Sequence, residues 1–462
     1  MNLITNNKKK TIIVISTIIG IILLIYFGYA IYFMNHFYFG SKVNGSNISH
    51  KTVDEVENQI KSYISSYSIM IKCRDNVEET INAEDLGLEY ISDGKIKELK
   101  NNQNPFTWVK SPFQSDELEM KVNIKYDEDL FNSKFNDLSC LKDENVIEPK
   151  NAYIDFNGNE FEIKSETMGN RIKKDDFYNK LVDAILSGNP TLDLESEDLY
   201  EKPAFYMNSE AVINAKDNLN KFISTAITYQ IGSAVEGIDG KTIKDWVGVN
   251  EDFTTYIDEG KVRNYINQLA YKYNTVGKNK KFKTTEGNEI EIAGGNYGWR
   301  INIEKEVQDL YNSIENGEVA TREINYIQKA HGYGDNEIGQ TYVEIDFTKQ
   351  HMWFYKDGNL IIDGDIVTGN VSLGHTTPTG AYRLNYKEAN TNLVGEDYVS
   401  PVAFWMPFNG NIGIHDASWR DEFGKDIYLT NGSHGCVNAP YDLAQGIFNL
   451  IQPGDPVICY YS

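Results

Sequence analysis

The segment Ser433-His434-Gly435-Cys436-Val437-Asn438, near the C-terminal end of the chain, places a thiol beside an imidazole and a glycine. A second imidazole, His415, follows the apolar run Ile412-Gly413-Ile414 upstream. A thiol attacks carbonyl groups as its thiolate, and a nearby imidazole can take the proton and hold the two groups as an ion pair. These residues predict acyl transfer through a thioester on Cys436.

Both histidines are candidates for the general base. In an extended loop, residues 434, 436 and 438 point to one side, which would put His434 and Asn438 beside the thiol. A base arriving from another strand has the better angle, so we expect His415 to accept the proton and His434 to shape the loop or the oxyanion pocket. Gly435 lets the backbone turn its N–H groups toward an oxyanion, and Asn438 offers a further donor.

The sequence around this segment is typical of a small β domain that begins near Gly339. One helix is predicted, at Pro440 to Ile451. The glycine-rich segment Thr368 to His375 is a candidate lid, with an ordinary surface loop as the equal alternative. Short strands predict a β-sandwich or a barrel-like domain that carries a catalytic loop. Trp353, Trp405 and Trp419 could line the cleft, but aromatic residues of small β domains more often belong to the core, which we favour for all three. The predicted strands are Tyr342 to Asp346, His351 to Tyr355, Leu360 to Ile362, Gly380 to Tyr386 and Pro456 to Tyr460.

Upstream, the sequence repeats itself. The segment 158–163 reappears at 287–292, and the segment 169–172 reappears at 298–301, with the same offset of 129 positions (287 − 158 and 298 − 169). An offset that recurs in this way indicates two copies of one module. Gly294 to Gly298 faintly resembles a dinucleotide-binding loop, but its counterpart keeps only the last glycine, which excludes that function.

Each copy is predicted to be α+β. A hairpin closed near Asn157-Gly158 is followed by a helix with apolar residues at helical spacing. Neither copy contains a catalytic group of residues, which favours wall binding, spacing or scaffolding. The predicted helices are Lys174 to Leu186 and Glu304 to Glu315, with earlier ones at Thr52 to Ser65 and Val262 to Lys272.

The N-terminal region predicts a membrane anchor. Residues 11–41 contain no Asp, Glu, Lys or Arg, and the apolar run from Thr11 to Met34 is long enough to cross a bilayer. Lys8, Lys9 and Lys10 precede it and place the N-terminus in the cytoplasm, with the rest of the chain outside. A cleaved signal peptide is the alternative, but its apolar core is normally only about 7–15 residues long.

The composition argues against some classes of partner and cofactor. A chain of 462 residues predicts several domains, and the formal net charge of −23 argues against a nucleic-acid partner. The four cysteines form no CxxC pair, and Cys436 stands too close to His434 for ordinary ligand spacing. We therefore expect neither a cofactor nor a metal.

The segment Ile414-His415-Asp416, taken with residues 433–438, closely resembles the signature of the L,D-transpeptidases that cross-link peptidoglycan. Residues 377–380 (Thr-Pro-Thr-Gly) resemble that family's second landmark, a turn ahead of a strand. The repeats resemble the peptidoglycan-binding modules that often accompany this catalytic domain. The resemblance implies an α+β multidomain chain with a mainly-β catalytic domain at its end. The implied segments are 1–10 (cytoplasmic tail), 11–34 (transmembrane helix), 40–205 and 206–335 (binding modules) and 340–462 (catalytic domain).

The resemblance also assigns roles. Cys436 would be the nucleophile and His415 the proton acceptor, while Asp416 or a backbone carbonyl would orient His415. Supporting residues would be Ser433, His434, Gly435 and Asn438, although many members carry arginine in the place of Asn438.

The partners implied by the resemblance are peptidoglycan stem peptides, as donor and as acceptor. The thiol would attack the third residue of a tetrapeptide stem, release D-alanine and pass the acyl group to an amine of a neighbouring stem, giving a 3→3 link. Carbapenems and penems would acylate the same thiol.

Two other functions stay open at this point. With water as the acceptor the same fold would be an L,D-carboxypeptidase, and with a protein amine it would anchor proteins to the wall. A further alternative is a non-catalytic wall-binding protein. Binding alone, however, would not require Cys436, His415 and Gly435 together. The sequence does not identify the acceptor, the diamino acid of the stem or the oligomeric state.

Overall fold

The computed structural model describes residues 2–113, 117–395 and 399–462, with the backbone alone at residues 2–6 and at Leu118. Within these residues the chain divides into two compact units. The first contains residues up to 153 together with 164–207, and the second contains residues 154–163 together with 208–462.

The chain starts with the helix α1 (Asn2–Asn35). Its part from Asn7 to Asn35, in which the most apolar window of 18 residues has a mean hydropathy of 2.6, is long and apolar enough to cross a membrane. The predicted transmembrane segment 11–34 lies inside this helix.

The rest of the first unit is an α+β module. Its helix α5 buries Phe177 and Leu181 in the module core, and its main sheet has the order β10-β3-β4, with β10 parallel to β3. Its elements, with a hairpin whose tip belongs to the second unit, are β1 (Lys42–Val43), β2 (Ser46–Asn47), α2 (Val53–Ser65), β3 (Ser68–Lys72), β4 (Glu78–Asn82), β5 (Glu89–Tyr90), α3 (Lys95–Asn102), β6 (Glu117–Leu118), β7 (Ile124–Lys125), α4 (Glu128–Asp137), β8 (Tyr153–Phe156), β9 (Phe161–Lys164), α5 (Lys174–Leu186) and β10 (Thr191–Asp193).

The second unit begins with a module of the same kind. Its main sheet has the order β12-β11-β18, and β18 is parallel to β11. Its elements are α6 (Glu210–Ile223), β11 (Ala226–Ile231), β12 (Ala234–Ile238), α7 (Gly240–Ile243), β13 (Val247–Val249), β14 (Thr255–Ile257), α8 (Glu259–Tyr273), β15 (Lys280–Lys283), β16 (Glu289–Ile292), β17 (Arg300–Ile301), α9 (Ile303–Asn316), β18 (Val319–Glu323) and β19 (Tyr326–Gln328).

The two modules follow the same order of elements, which confirms the predicted repeat. The series α2, β3, β4, β5, β7, α4, α5 and β10 corresponds to α6, β11, β12, β13, β14, α8, α9 and β18. Helix α5 has the predicted limits, and α9 differs from its predicted limits by one residue at each end. One difference is large: β5 and β7 are separated by residues 91–123, whereas β13 and β14 are separated only by residues 250–254.

Within the second unit, two hairpin tips pack on the domain that follows them in the chain. Ile154 and Phe161 of the hairpin β8–β9 pack against the core of the second module, where the side-chain amide of Asn220 bonds both the N–H and the C=O of Phe161 (2.7 and 2.8 Å). In the hairpin β15–β16, Phe282 and Ile292 instead pack against residues of the C-terminal domain.

The C-terminal domain is a β-sandwich, as predicted. One sheet has the order β22-β21-β20-β28-β23 and the other the order β24-β25-β26-β27, and both contribute to one buried core with the last helix. The elements are β20 (Tyr342–Asp346), β21 (His351–Lys356), β22 (Asn359–Asp365), β23 (Gly380–Arg383), β24 (Glu388–Val394), β25 (Val399–Asn409), β26 (Ile412–Asp416), α10 (Ile427–Asn431), β27 (Val437–Ala439), α11 (Tyr441–Leu450) and β28 (Pro456–Tyr460).

The second module is joined to the sandwich through polar contacts as well as apolar ones. The buried carboxylate of Glu344 on β20 accepts hydrogen bonds from the N–H (2.9 Å) and hydroxyl (2.7 Å) of Thr285 and from the Tyr460 hydroxyl (2.7 Å). Nearby, Gly295 has φ 90°, and a side chain there would place its Cβ 1.9 Å from the carbonyl oxygen of Ala381. Glycine at this position is therefore required by a close backbone approach rather than by a nucleotide.

Glu344→Ala should lower the free energy of unfolding of the second unit by about 3 kcal/mol, because it leaves buried donors without an acceptor. Glu344→Gln, which keeps one acceptor oxygen, should cost less. Chemical denaturation of the full chain, followed by the fluorescence of the second unit, measures both. An unchanged midpoint in the alanine variant would show that this junction does not stabilise the fold.

Candidate active site

The site is built on two neighbouring parallel strands. β26 pairs with β27 in a register that places His415 opposite Asn438. Cys436 immediately precedes β27, so it lies two residues from Asn438 and on the same face of the strand. The register therefore brings His415, Cys436 and Asn438 to one face of the sheet.

These three side chains line one cleft of about 400 Å³. Trp405 and Trp419 also line it, with ring centroids 6.0 and 5.8 Å from that of His415. Within the described residues no carboxylate lines the cleft. The remaining lining residues are Tyr386, Asn392, Leu393, Val394, Ser400, Gly410, Asn411, Arg420, Gly432, Ser433 and His434.

His415 is held in one orientation and one tautomer. Its ring is 4% exposed, and Nδ1 lies 2.8 Å from the backbone carbonyl oxygen of Asp416. Because a carbonyl only accepts hydrogen bonds, Nδ1 carries the proton and Nε2 is left with its lone pair. Burial lowers the pKa of His415, and the Arg420 guanidinium acts in the same direction, while the Asp416 carbonyl opposes both.

The surroundings of Cys436 favour its neutral thiol. Burial raises the pKa of Cys436, and a hydrogen bond with the Gly413 backbone offsets this only in part. The sulfur lies 3.5 Å from the carbonyl oxygen of Asn411, to which the thiol can donate. The sequence suggested a resting thiolate–imidazolium pair, but both pKa shifts favour the neutral thiol and the neutral imidazole.

The loop before the thiol is fixed by two hydroxyl groups. The Ser433 hydroxyl donates to the carbonyl oxygen of Cys436 (2.5 Å) and accepts from the N–H of Gly435 (3.0 Å). The Thr377 hydroxyl donates to the carbonyl oxygen of Gly435 (2.7 Å). Gly435 has φ 121°, a conformation that favours glycine. Its N–H is occupied by Ser433, so Gly435 supplies the bend rather than an oxyanion donor.

The other supporting residues lie at the site in different ways. The carboxylate of Asp416 accepts the N–H of Phe404 (2.8 Å), so the carboxylate ties β25 to β26 and the backbone carbonyl orients the imidazole. The His434 ring lies against that of His375, with centroids 5.1 Å apart. Asn438 is buried, and its side-chain oxygen has no hydrogen-bond partner among the described residues.

Two candidates for the cleft lie elsewhere. Trp353 lies on β21 against the ring of His351 and does not line the cleft. The segment 368–375 does not line it either, and its backbone bonds to Tyr428, Leu429 and Ser433. Residues of β24 and β25 line the cleft instead, and residues 396–398, which follow β24 in sequence, lie outside the described residues.

Arg420 is a site residue that the sequence did not reveal. It is half-buried in the cleft wall, where one Nη donates to the carbonyl oxygen of Asn431 (2.8 Å). Its Nε is buried without a hydrogen-bond partner among the described residues. Arg420 belongs to no sequence motif, so only the fold could identify it as a residue of the cleft.

One group of side chains outside the cleft has metal-ligand chemistry. Within the described residues, the ligand atoms of Cys73, Glu79 and Cys140 lie within 4.8 Å of one another. The Glu79 carboxylate already accepts the N–H groups of Ser139 and Cys140 (3.0 Å each) and the Ser139 hydroxyl (2.9 Å). Three ligands, one of them engaged in this way, fall short of a tetrahedral structural site.

Comparison with known proteins agrees with this geometry. The family model of the L,D-transpeptidase catalytic domain matches residues 340–459. The family model of a peptidoglycan binding domain matches residues 79–193 and again residues 207–321. No curated protein matches the chain.

Solved structures with similarity include a cysteine-to-serine mutant of the Enterococcus faecium L,D-transpeptidase. It is 33% identical, with 53% of this chain and 98% of that one covered and a TM-score of 0.43. The catalytic domain of the E. faecium enzyme acylated by ertapenem is 40% identical, over 26% of this chain and 97% of that one, with a TM-score of 0.25. L,D-transpeptidase 3 from Mycobacterium tuberculosis, with a faropenem-derived adduct, is 20% identical, over 26% and 60%, with a TM-score of 0.23.

The family models and the 33% identity across nearly all of the E. faecium protein lead to one conclusion: the chain belongs to the L,D-transpeptidases and carries their catalytic domain after a pair of peptidoglycan binding domains.

Proposed function

We propose that this protein is a membrane-anchored peptidoglycan L,D-transpeptidase that forms 3→3 cross-links through a thioester on Cys436. The observation that carries the proposal is the register of β26 with β27, which gives Cys436 and His415 one cleft. In the neutral imidazole of His415, Nε2 carries no proton, and its lone pair can act as the general base that such a thiol requires.

In the first half-reaction, the thiol of Cys436 gives its proton to Nε2 of His415 as the sulfur attacks the carbonyl carbon of the third stem residue. The C–N bond to the terminal D-alanine then breaks, and the imidazolium returns the proton to the leaving amine. A neutral resting pair suits this sequence, because the charges form only as the substrate carbonyl takes up negative charge.

In the second half-reaction, the side-chain amine of a neighbouring stem attacks the thioester. Such an amine has an ordinary pKa near 10.4 and is mostly protonated at neutral pH, so a base must accept its proton. His415 is neutral again at this stage and serves that role. The C–N bond forms, and the sulfur leaves as a thiol with the proton from His415.

Arg420 supplies a positive charge, and no Lys, Asp or Glu is among the other described residues that line the cleft. A tetrapeptide donor ends in the carboxylate of D-alanine, which lies next to the scissile bond. We propose that the unpaired Nε side of Arg420 binds this carboxylate, since guanidinium and carboxylate form strong paired hydrogen bonds. This contact would favour stems that end at position four over longer or amidated ones.

The remaining parts of the chain fit the same function. Residues 1–10 would lie in the cytoplasm and residues 11–34 in the membrane, with the binding modules 40–205 and 206–335 and the catalytic domain 340–462 at the cell wall. The modules would hold peptidoglycan near the catalytic domain. Carbapenems and penems would acylate Cys436, by analogy with the relatives that carry ertapenem and faropenem adducts.

The proposal is tested with the full chain, a defined tetrapeptide donor and a stem acceptor. Mass spectrometry should detect an acyl-enzyme, released D-alanine and 3→3 dimers. Cys436→Ala should lose all three, while Cys73→Ala, which removes a thiol from the first unit, should keep them. Tripeptides without dimers would show an L,D-carboxypeptidase, and activity that survives in Cys436→Ala would refute the mechanism.

The acid limb of the pH–rate profile should have its midpoint below pH 6.5, the ordinary pKa of histidine. The base must be neutral to act, and burial lowers the pKa of His415, so activity should persist to more acidic pH than usual. His415→Ala should lower the acylation rate about 10²–10⁴-fold and abolish this limb. A midpoint above 6.5 would mean that a different group, or a stabilised imidazolium, controls acylation.

Arg420→Gln should raise KM for the tetrapeptide donor about 10–100-fold, as expected for the loss of a charge-assisted hydrogen bond. The wild type should discriminate against a donor with a C-terminal carboxamide, and the variant should not. The acid limb should also move to higher pH, because a positive charge that lowers the pKa of His415 is removed. Arg420→Lys, which keeps the charge, is the control, and unchanged discrimination in the glutamine variant would exclude this role.

A further inference from the structure

The first module contains an insertion that its repeat lacks. Residues 91–123 lie between β5 and β7, where the second module has only residues 250–254. The insertion contains α3, a 3-10 helix at Pro105–Phe113 and β6. The second module forms the same series of elements without such a segment, so the insertion is specific to the first copy.

The 3-10 helix packs against the anchor helix α1. The ring of Trp108 lies 4.8 Å from that of Tyr29 and about 6 Å from those of Tyr26 (6.2 Å) and Phe33 (6.1 Å). The Trp108 indole N–H donates to the carbonyl oxygen of Tyr26 (3.1 Å), and the Tyr26 hydroxyl donates to the carbonyl oxygen of Phe106 (2.8 Å). These contacts run along the side of α1.

The same insertion closes the C-terminal end of α1. The last carbonyl groups of a helix have no partners within it and carry partial negative charge. The ammonium group of the buried Lys100 donates a hydrogen bond to the carbonyl oxygen of Phe33 (2.8 Å). The side-chain amide of Gln103 donates one to the carbonyl oxygen of His36 (3.0 Å). Ile96 of α3 shares a small core with Phe37. The anchor helix therefore continues into the first module without a free linker.

The position of Tyr26 gives the depth of this contact. A hydrocarbon core of about 30 Å takes up about 20 residues of a helix that rises about 1.5 Å per residue. Counted from Thr11, the first residue after the lysines, the hydrocarbon part of the segment 11–34 ends near Ala30 and includes Tyr26, and residues 31–34 then lie among the headgroups. A 3-10 helix that touches Tyr26 must then lie at the outer boundary of the bilayer.

The outward side of the 3-10 helix matches that environment. Phe106 and Val109 are each 48% exposed, and Phe113 is 88% exposed. Apolar groups in water cost about 25 cal/mol per Å², a cost that is removed when they enter the acyl-chain boundary, where aromatic residues also concentrate. A bilayer next to α1 is the one occupant for this face that the geometry itself supplies.

We propose that residues 91–113 and 117–123 form a membrane clasp, in which they pack against α1 and the side chains of Phe106, Val109 and Phe113 enter the outer leaflet. The proposal rests on the membrane anchor of the proposed function. The clasp would fix the first module against the bilayer surface instead of leaving it to swing on a flexible tether.

Tryptophan quenching tests the clasp in the full chain. The protein has six tryptophans, and the five other than Trp108 belong to the second unit. In nanodiscs of phosphatidylcholine and phosphatidylglycerol with brominated acyl chains, part of the emission should be quenched, and this part should vanish in Trp108→Phe. Equal quenching of the wild type and the variant would overturn the clasp.

A second pair of variants reports on the exposed face itself. In the Trp108→Phe background, Phe113→Trp should be quenched by the brominated lipid and protected from aqueous iodide. Tyr271→Trp, at a residue that is also 88% exposed but lies in the second module, should show the reverse. Carbonate extraction of membranes tests the anchor separately, because it releases proteins that have no transmembrane segment. If the chain stays in the membrane but iodide quenches the tryptophan at position 113, the clasp is overturned and the anchor is not. If carbonate releases the chain, both are overturned.

Discussion

The parallel pairing of β26 with β27 is the constraint on which the catalytic cleft depends. Strand side chains alternate between faces, so a shift of one residue in either strand would move His415 and Cys436 to opposite sides of the sheet. Contacts on both outer sides of the pair hold the register. The carboxylate of Asp416 ties β26 to β25 through Phe404, and the backbone of Asn438 pairs with Val367 on the other side of β27. The arrangement of Cys436 and His415 is thus a property of the sheet rather than of the loop alone.

Burial then sets which protonation states of Cys436 and His415 are favoured. Desolvation disfavours both the thiolate of Cys436 and the imidazolium of His415, and the positive charge of Arg420 adds to the second effect. Both shifts favour a neutral thiol and a neutral imidazole, the forms from which the proposed proton transfer would start. The carbonyl of Asp416 fixes the tautomer that makes this transfer possible.

Two hairpins show the same kind of contact within the second unit. The apolar side chains at the tip of β8–β9 and those of β15–β16 each pack on the domain that follows in the chain. The second hairpin also presents Thr285 to the buried carboxylate of Glu344 in the catalytic sheet. Because these contacts are buried and hydrogen-bonded, the second module and the sandwich behave as parts of one compact unit.

Local patterns determined much of this protein from sequence alone. The apolar N-terminal helix, the repeat, helices such as α5 and strands such as β20 and β28 follow from periodicity within a few residues, and the thiol–imidazole motif indicated the chemistry. The tertiary structure alone decided the acceptor of the His415 Nδ1 proton, the place of Arg420, the hairpin that lines the cleft and the insertion that grips α1. Each of these depends on groups that are distant in sequence or on a backbone carbonyl, whose position no side-chain pattern encodes.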